Sequence, residues 1–304
     1  MNGRIVKALS GFYYVRTAVG NVYECRAKGA FKNEGVEPLV GDNVVFNVTD
    51  AREKTGIVNE IEPRKNRLIR PSVANVDQVL VMFSVRNPTP NLSVLDKFLV
   101  LMQRQNIPTI IVFNKKDLQK GEDVKNLKKA YKKSGCRVMF TTLGGVNKDG
   151  KIKLFPIKHF LKGKITVLTG PSGTGKSTLI NILAGNNDAE DGQVATVGAI
   201  SSKVGRGKQT TRHNELFSLG HNEKYRVIDT PGFSSLLVTG RDCTREELQY
   251  AFPEFAEYRT QCPFADCSHI KERDCAVRKA AEDGKISMSR YNSYKSIYGD
   301  IKTR

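Results

Sequence analysis

Gly170-Pro171-Ser172-Gly173-Thr174-Gly175-Lys176-Ser177-Thr178 constrains this chain more than any other stretch. The apolar run Ile165-Thr166-Val167-Leu168 ahead of it reads as a buried parallel strand. Leu179-Ile180-Asn181-Ile182-Leu183 behind it reads as the start of a helix. Strand, glycine-rich turn and helix is the setting in which GxxxxGK[ST] forms a phosphate loop. Its glycines let successive backbone N–H groups curl around phosphate oxygens, and the helix N-terminus adds partial positive charge. Lys176 is placed to reach the β and γ phosphates, and the Ser177 hydroxyl to ligate magnesium. The chain therefore has to contain a nucleotide site within an α/β sheet.

Three hundred and four residues are enough for two or three domains. No run of about 18 apolar residues exists, so no transmembrane helix and no membrane partner are expected. The N-terminal stretch MNGRIVKALSGFYYV lacks a signal-peptide pattern, which points to a cytoplasmic protein. In that compartment the six cysteines are expected as free thiols or metal ligands rather than disulfides. The net charge of +18 favours a polyanionic partner, because each phosphate neutralised releases counterions. The excess is uneven, with 15 Lys or Arg against 4 Asp or Glu over residues 115–164. Much of it lies on a helix expected over Glu122–Ser134, whose Val124, Leu127 and Tyr131 share one face. A solvated helix face and a polyanion contact are equally good readings of those lysines.

Residues 1–70 alternate in five strand-like runs, Arg4–Leu9, Phe12–Thr17, Asn21–Arg26, Asn43–Val48 and Thr55–Ile61, separated by turn signals. That spacing fits a small β-barrel, most economically an OB-fold, and its interleaved basic and aromatic residues suit RNA. The proline-bounded stretch Pro63–Pro71 reads as a basic linker. Strands then alternate with helices: Val79–Val85, the helix Ser93–Gln103, and Thr109–Phe113 running into Asn114-Lys115-Lys116-Asp117. NKxD after a buried strand reads guanine, because the Asp117 carboxylate can accept from both N1–H and the 2-amino group, a pair that adenine does not offer. Asn114 is expected to orient the loop and contact the base edge, with the Lys115 stem over the ring. The next strand, Arg137–Phe140, ends in Thr141-Thr142, where a second guanine loop would give a backbone N–H to the base.

Beyond the phosphate loop, Lys203–Arg212 is polar and basic and reads as a mobile loop. Thr210 and Thr211 both qualify for the magnesium shell, alongside Ser177 and Asp229. Strand Tyr225–Ile228 leads to Asp229-Thr230-Pro231-Gly232, a DxxG motif whose glycine N–H senses a γ-phosphate. Lys176, Thr211 and Gly232 are thus the groups expected at the reacting phosphate. Phe233 follows, where Ras-like GTPases carry a water-orienting glutamine, so unassisted hydrolysis should be slow. The order NKxD, phosphate loop, DxxG is a circular permutation of the usual one. It feeds the γ-phosphate sensor directly into the C-terminal region. There Cys262, Cys267, His269 and Cys275 supply three thiolates and an imidazole within fourteen residues, the donor set of one closed structural zinc site. Cys25, Cys136 and Cys243 read as plain core thiols. Two helices follow, Ala276–Asp283 and Ser287–Ile301, with Arg278, Lys279, Arg290, Lys295 and Lys302 available for phosphates.

Taken together, these motifs strongly resemble the circularly permuted RsgA (YjeQ/YloQ) GTPase family over nearly the whole chain. The particular matches are Arg70-Pro71…Asn75–Gln78, Asn114–Asp117, Gly170–Thr178, Gly205–Thr211, Asp229–Phe233, Phe252–Phe255 and Cys262–Cys275. The resemblance implies a multidomain α/β architecture: an OB-fold RNA-binding domain at 1–70, a permuted GTPase domain at 71–238 and a helical zinc domain at 239–304. It implies GTP with Mg2+, one structural Zn2+, docking on the 30S subunit and its 16S rRNA late in maturation, and activation by that subunit. A monomer is expected. Gln209 stands where the family usually has histidine, and the Ser-Ala of the second guanine loop is replaced. Two other classes remain open from sequence. One is a guanylate-kinase-like nucleotide kinase, and the other an RNA-binding zinc protein whose nucleotide site is only structural.

Overall fold

The alternating runs of the first 61 residues form five strands: β1 (Asn2–Leu9), β2 (Phe12–Thr17), β3 (Val22–Ala27), β4 (Asn43–Asp50) and β5 (Thr55–Ile61). The computed structural model in which they are seen describes residues 1–118, 121–144, 155–185, 213–233 and 235–301. Antiparallel pairings join β1 to β2, β2 to β3 and β4 to β5, β3 runs parallel to β5, and β4 returns to β1. This closes a five-stranded barrel in OB order, which removes the exposed sheet edges. Ile5, Val15, Cys25, Val44, Phe46 and Val58 fill its interior at zero exposure, as the period of two requires.

The expected linker is a built connection. Arg64 forks onto the buried Asp42 carboxylate with two bonds of 2.7 Å. Two two-residue strands, β6 (Arg67–Leu68) and β7 (Val73–Ala74), pair antiparallel across the Arg70-Pro71 turn. Barrel and connection belong to a compact unit made of Met1–Val79, Leu154–Thr169 and Lys176–Gly232.

A second unit comprises Leu80–Lys153, Gly170–Gly175 and Phe233–Arg304. Strand β8 (Gln78–Ser84) starts in the first unit and ends in the second, where β9 (Thr109–Asn114) lies between it and the parallel β10 (Arg137–Phe140). The helix Leu92–Arg104 is N-capped by Asn91 and buries Leu95, Phe98, Leu99 and Met102. The helix Glu122–Tyr131 buries Leu127 and Tyr131. The C-terminal helices Ala276–Glu282 and Met288–Asp300 fall where the sequence places them. The latter packs on Leu92–Arg104, with Lys97 donating to Asp300 at 2.7 Å.

Back in the first unit, β11 (Ile165–Thr169) is buried throughout and runs parallel to β13 (Tyr225–Asp229). Strand β12 (Glu215–Leu219), which the sequence reading misses, pairs antiparallel with β13 and meets β1 at Lys7 opposite Glu215. Among the described residues no helix is long and apolar enough to cross a membrane.

Candidate functional site

The phosphate loop needs its glycines. Gly170 sits at φ +133°, and a Cβ there would lie 2.1 Å from the Met82 carbonyl oxygen. Gly175 sits at φ +106°, and a Cβ would lie 2.3 Å from Asn114 Nδ2. Both conformations and both contacts exclude an ordinary side chain. Thr174 is buried and closes the turn by donating its hydroxyl to the Pro171 carbonyl at 2.9 Å.

Asn114 ends β9 at 3% exposure and joins three loops. Its Nδ2 donates to the Thr174 carbonyl at 2.9 Å, and its Oδ1 accepts from the Leu143 N–H at 3.0 Å. One amide hydrogen and one lone pair are thus engaged by protein, so Asn114 braces the loops, with the second hydrogen and lone pair left over for a base edge. Lys115 holds a left-handed conformation at φ +59°, and its Nζ donates to the Asn87 carbonyl. Asp117 is exposed on the single turn Lys116–Leu118, which is anchored where the Lys116 N–H donates to the Thr141 carbonyl at 3.0 Å. In the second loop the N–H groups of Thr141 and Leu143 already donate to Phe113 and Asn114, and Thr142 lies between them, half-buried.

In the first unit, Lys176 opens the helix Lys176–Leu183, with Ser177 exposed and Thr178 half-buried in its first turn. Burial lowers the Lys176 pKa, and the Asp229 carboxylate opposes that shift. Asp229 itself is 2% exposed at the end of β13, beside Thr230, whose hydroxyl donates to the Leu168 carbonyl at 3.1 Å. Gly232 is exposed. Pro171, Ser172 and Gly173 complete the loop, the last two exposed. Thr210, Thr211 and Gln209 lie outside the described residues. Phe233, in the second unit, stacks on Phe98 with ring centroids 5.2 Å apart and meets Phe83 at 6.4 Å.

The four residues at the C-terminal cluster converge. Ligand atoms of Cys262, Cys267, His269 and Cys275 all lie within 4.8 Å of one another. His269 Nδ1 faces Cys275 Sγ at 3.4 Å and Cys262 Sγ at 3.6 Å, and those sulfurs are 3.9 Å apart. On the far side of the ring, Nε2 meets the Gln249 side-chain oxygen Oε1 at 3.1 Å, so the tautomer that donates there leaves Nδ1 as the ligand atom. Burial raises the Cys267 thiol to about 12, lifts Cys275 and lowers His269. A bound cation would reverse the thiol shifts by stabilising thiolate. The loop is set by Glu272. Its carboxylate accepts from the Ser268 N–H and hydroxyl and from the N–H groups of Ile270 and Lys271. Tyr291 and Tyr294 donate their hydroxyls to the carbonyls of His269 and Ser268.

One expectation is overturned. Arg290 is not available for phosphates: at 1% exposure it donates to Asp96 at 2.7 Å and to both oxygens of Glu254. Tyr131 adds a hydroxyl donor to Asp96 at 2.9 Å. Burial opposes the guanidinium charge, but the two carboxylates raise its pKa above the usual value, so it remains charged. Its helical spacing resembles that of its exposed neighbours, and only its distant partners explain the burial. Lys295 is exposed, Arg278 reaches Glu282, and Lys302 lies outside the described residues.

The RsgA GTPase family model matches residues 61–239, and the RsgA N-terminal domain model residues 2–58. The chain belongs to the RsgA GTPase family. A curated relative from Agathobacter rectalis, the small ribosomal subunit biogenesis GTPase RsgA, is 45% identical, covering all of this chain and 99% of its own length. The protein of that name from Alkaliphilus metalliredigens is 44% identical over 99% of this chain and 97% of its own. Among solved structures, the circularly permuted GTPase YloQ is 36% identical with a TM-score of 0.71, covering 100% of this chain and 96% of that one. YjeQ from Thermotoga maritima is 31% identical with a TM-score of 0.74, at 98% and 97% coverage. Membership of the RsgA GTPase family sets the kinase alternative aside, and it brings Mg2+ with GTP.

Proposed function

We propose that this RsgA-family GTPase acts in assembly of the small ribosomal subunit, hydrolysing GTP when that subunit engages it. The observation that carries the guanine-nucleotide reading is the Asn114 brace. One buried amide ties the phosphate loop at Thr174 to the second loop at Leu143, and Asp117 lies three residues on. Asp117 reads the guanine N1–H and 2-amino group, the Thr142 N–H meets the guanine oxygen, and the Lys115 stem flanks the ring. Gly170 through Gly175 cradle the phosphates, and Lys176 and Thr178 complete that cradle. Ser177, Asp229 and one of Thr210 and Thr211 complete the magnesium shell. The Gly232 N–H senses the γ-phosphate.

Phe233 is packed against Phe98, so the group that orients the attacking water comes from elsewhere in the chain or from the bound subunit. We assign the metal as Zn2+. Tetrahedral zinc, with bonds of about 2.3 Å to sulfur and about 2.0 Å to nitrogen, sets S···S near about 3.8 Å and S···N near about 3.5 Å. The observed 3.9, 3.4 and 3.6 Å support that choice. The proposed division is an RNA-binding barrel at 1–70, a GTPase domain at 71–238 and a zinc domain at 239–304. The chain works as a cytoplasmic monomer on 16S rRNA.

The test is turnover of GTP and of ATP with and without purified 30S subunits. GTP hydrolysis is expected to rise at least tenfold with subunits, ATP hydrolysis to stay at background, and Lys176→Ala to abolish the response. Equal turnover with and without subunits would refute the reading.

A further inference from the structure

We propose that the outer face of the helix Glu122–Tyr131 is a docking surface for the sugar–phosphate backbone of structured RNA. The proposal rests on the ribosome-linked reading above and names a contact surface for it.

The inner face of this helix is fixed. Leu127 and Tyr131 are buried, Val124 is half-buried, and the Tyr131 hydroxyl donates to Asp96. The exposed flank beside it carries Lys125, Lys128, Lys129 and the capping Lys132. Their spacing of i, i+3, i+4 and i+7 puts four ammonium groups on one stripe about 10 Å long at 1.5 Å per residue. Glu122 and Asp123 are confined to the first turn, where negative charge suits the helix dipole. Among the described residues none of the four stripe lysines forms a salt bridge, whereas Lys133, just off the stripe, pairs with Glu257 at 3.4 Å.

Like charges at these spacings repel and weaken the helix. A purely structural exposed helix would do better with mixed signs, so the arrangement is one that a polyanion relieves. Three features select RNA backbone over other polyanions. No apolar or aromatic side chain is exposed within the stripe, so it offers neither a stacking platform for bases nor an apolar face to enter a bilayer. Lysine contributes point charges that suit phosphate without demanding a planar acceptor. The helix also follows the Asp117 loop in sequence, so the contact lies on the element next to the proposed base-reading loop in the chain.

The experiment uses the full chain with all four lysines changed together (Lys125→Gln, Lys128→Gln, Lys129→Gln, Lys132→Gln), a change that preserves helix propensity. Binding to 30S subunits and to protein-free small-subunit RNA is followed between 50 and 200 mM salt. Affinity is expected to fall by at least ~10-fold for both, and the log–log salt slope to flatten by about 3, from four contacts at about 0.7–0.9 each. A fluorescent GDP analogue should bind as before, and the four-site Lys→Arg version should keep the slope. A double variant (Lys128→Gln, Lys132→Gln) should flatten the slope about half as much, which keeps the test valid if the larger variant folds poorly. Unchanged affinity and slope overturn the proposal, as does an affinity loss at constant slope. Loss with subunits but not with free RNA would assign the face to an acidic protein and also overturn it. Should the unmodified chain not bind subunits at all, the ribosome reading fails by itself, and the slope on free RNA still decides this surface.

Discussion

The loops that meet at Asn114 and the cysteine-histidine loop are both irregular backbone held in place by a single polar residue, yet they are arranged differently in front of it. Around Asn114 the hydrogen bonds run behind the loops. One amide secures Thr174 and Leu143, and the exposed Asp117 and the half-buried Thr142, proposed above for the base, take no part in that brace. Around Glu272 the hydrogen bonds also run behind the loop, but the four ligand atoms in front already face one another within 4.8 Å. On the proposed reading, the first arrangement suits an exchanging nucleotide and the second a resident metal. A site that must release its ligand cannot use that ligand as its scaffold.

This contrast can be broken or sharpened. The largest effect should come from metal removal. Strong chelation withdraws a metal-binding free energy of about 10–16 kcal/mol, and Cys275→Ser withdraws part of it. The region beyond Phe233 should then lose protease resistance while guanine-nucleotide affinity changes little, as limited proteolysis beside a nucleotide titration would show. Simultaneous loss of both would mean that the two regions are one cooperative structure. Next in size, Arg290→Ala leaves Asp96 and Glu254 buried without their cation and should destabilise the fold by about 3–5 kcal/mol in denaturant titration. Asn114→Ala removes two buried hydrogen bonds, each worth about 1–3 kcal/mol when a partner is left unsatisfied. Affinity for GDP should drop by 10- to 100-fold with little change in metal content. Gly175→Ala should do the same by pressing on that amide.

The smallest effect is pH-dependent. Burial favours the neutral form of Glu272, but the Ser268 and backbone donors outweigh it and hold the pKa at about 2, below the usual 4.5. A depressed carboxylate contributes stability above its unfolded pKa and loses it as pH falls through the folded one. Melting curves of Glu272→Gln and the parent chain should therefore differ at pH 7 and converge between pH 4.5 and 2.

Much of this architecture was legible because the governing signals are local. The barrel strands show alternation, the nucleotide loops carry fixed residue types at fixed spacing, and the metal ligands lie within fourteen residues. The role of Gly175 could also be read, since only glycine suits that turn. What escaped detection depends on partners far away in sequence. Strand β12 alternates too weakly to stand out, and the strands 67–68 and 73–74 are too short to leave a period. Arg290 looked like its solvated neighbours because Asp96 lies 194 positions away. At Asn114 the motif says which residues meet, but not that the same amide also braces Thr174 and Leu143. Gln249 and Glu272 sit close to the metal ligands, and a reading that looked behind the donors for their supports would have reached them.

The single meeting of Lys7 with Glu215 gives the barrel a mechanical role. Strand β12 alone separates β1 from β13, whose last residue is Asp229. A pull on the N-terminal barrel thus passes through β12 to a strand that ends at the buried Asp229 carboxylate. Beside that pair, Arg16 on β2 bonds Glu223, so among the described residues the barrel is tied to this sheet at more than one point.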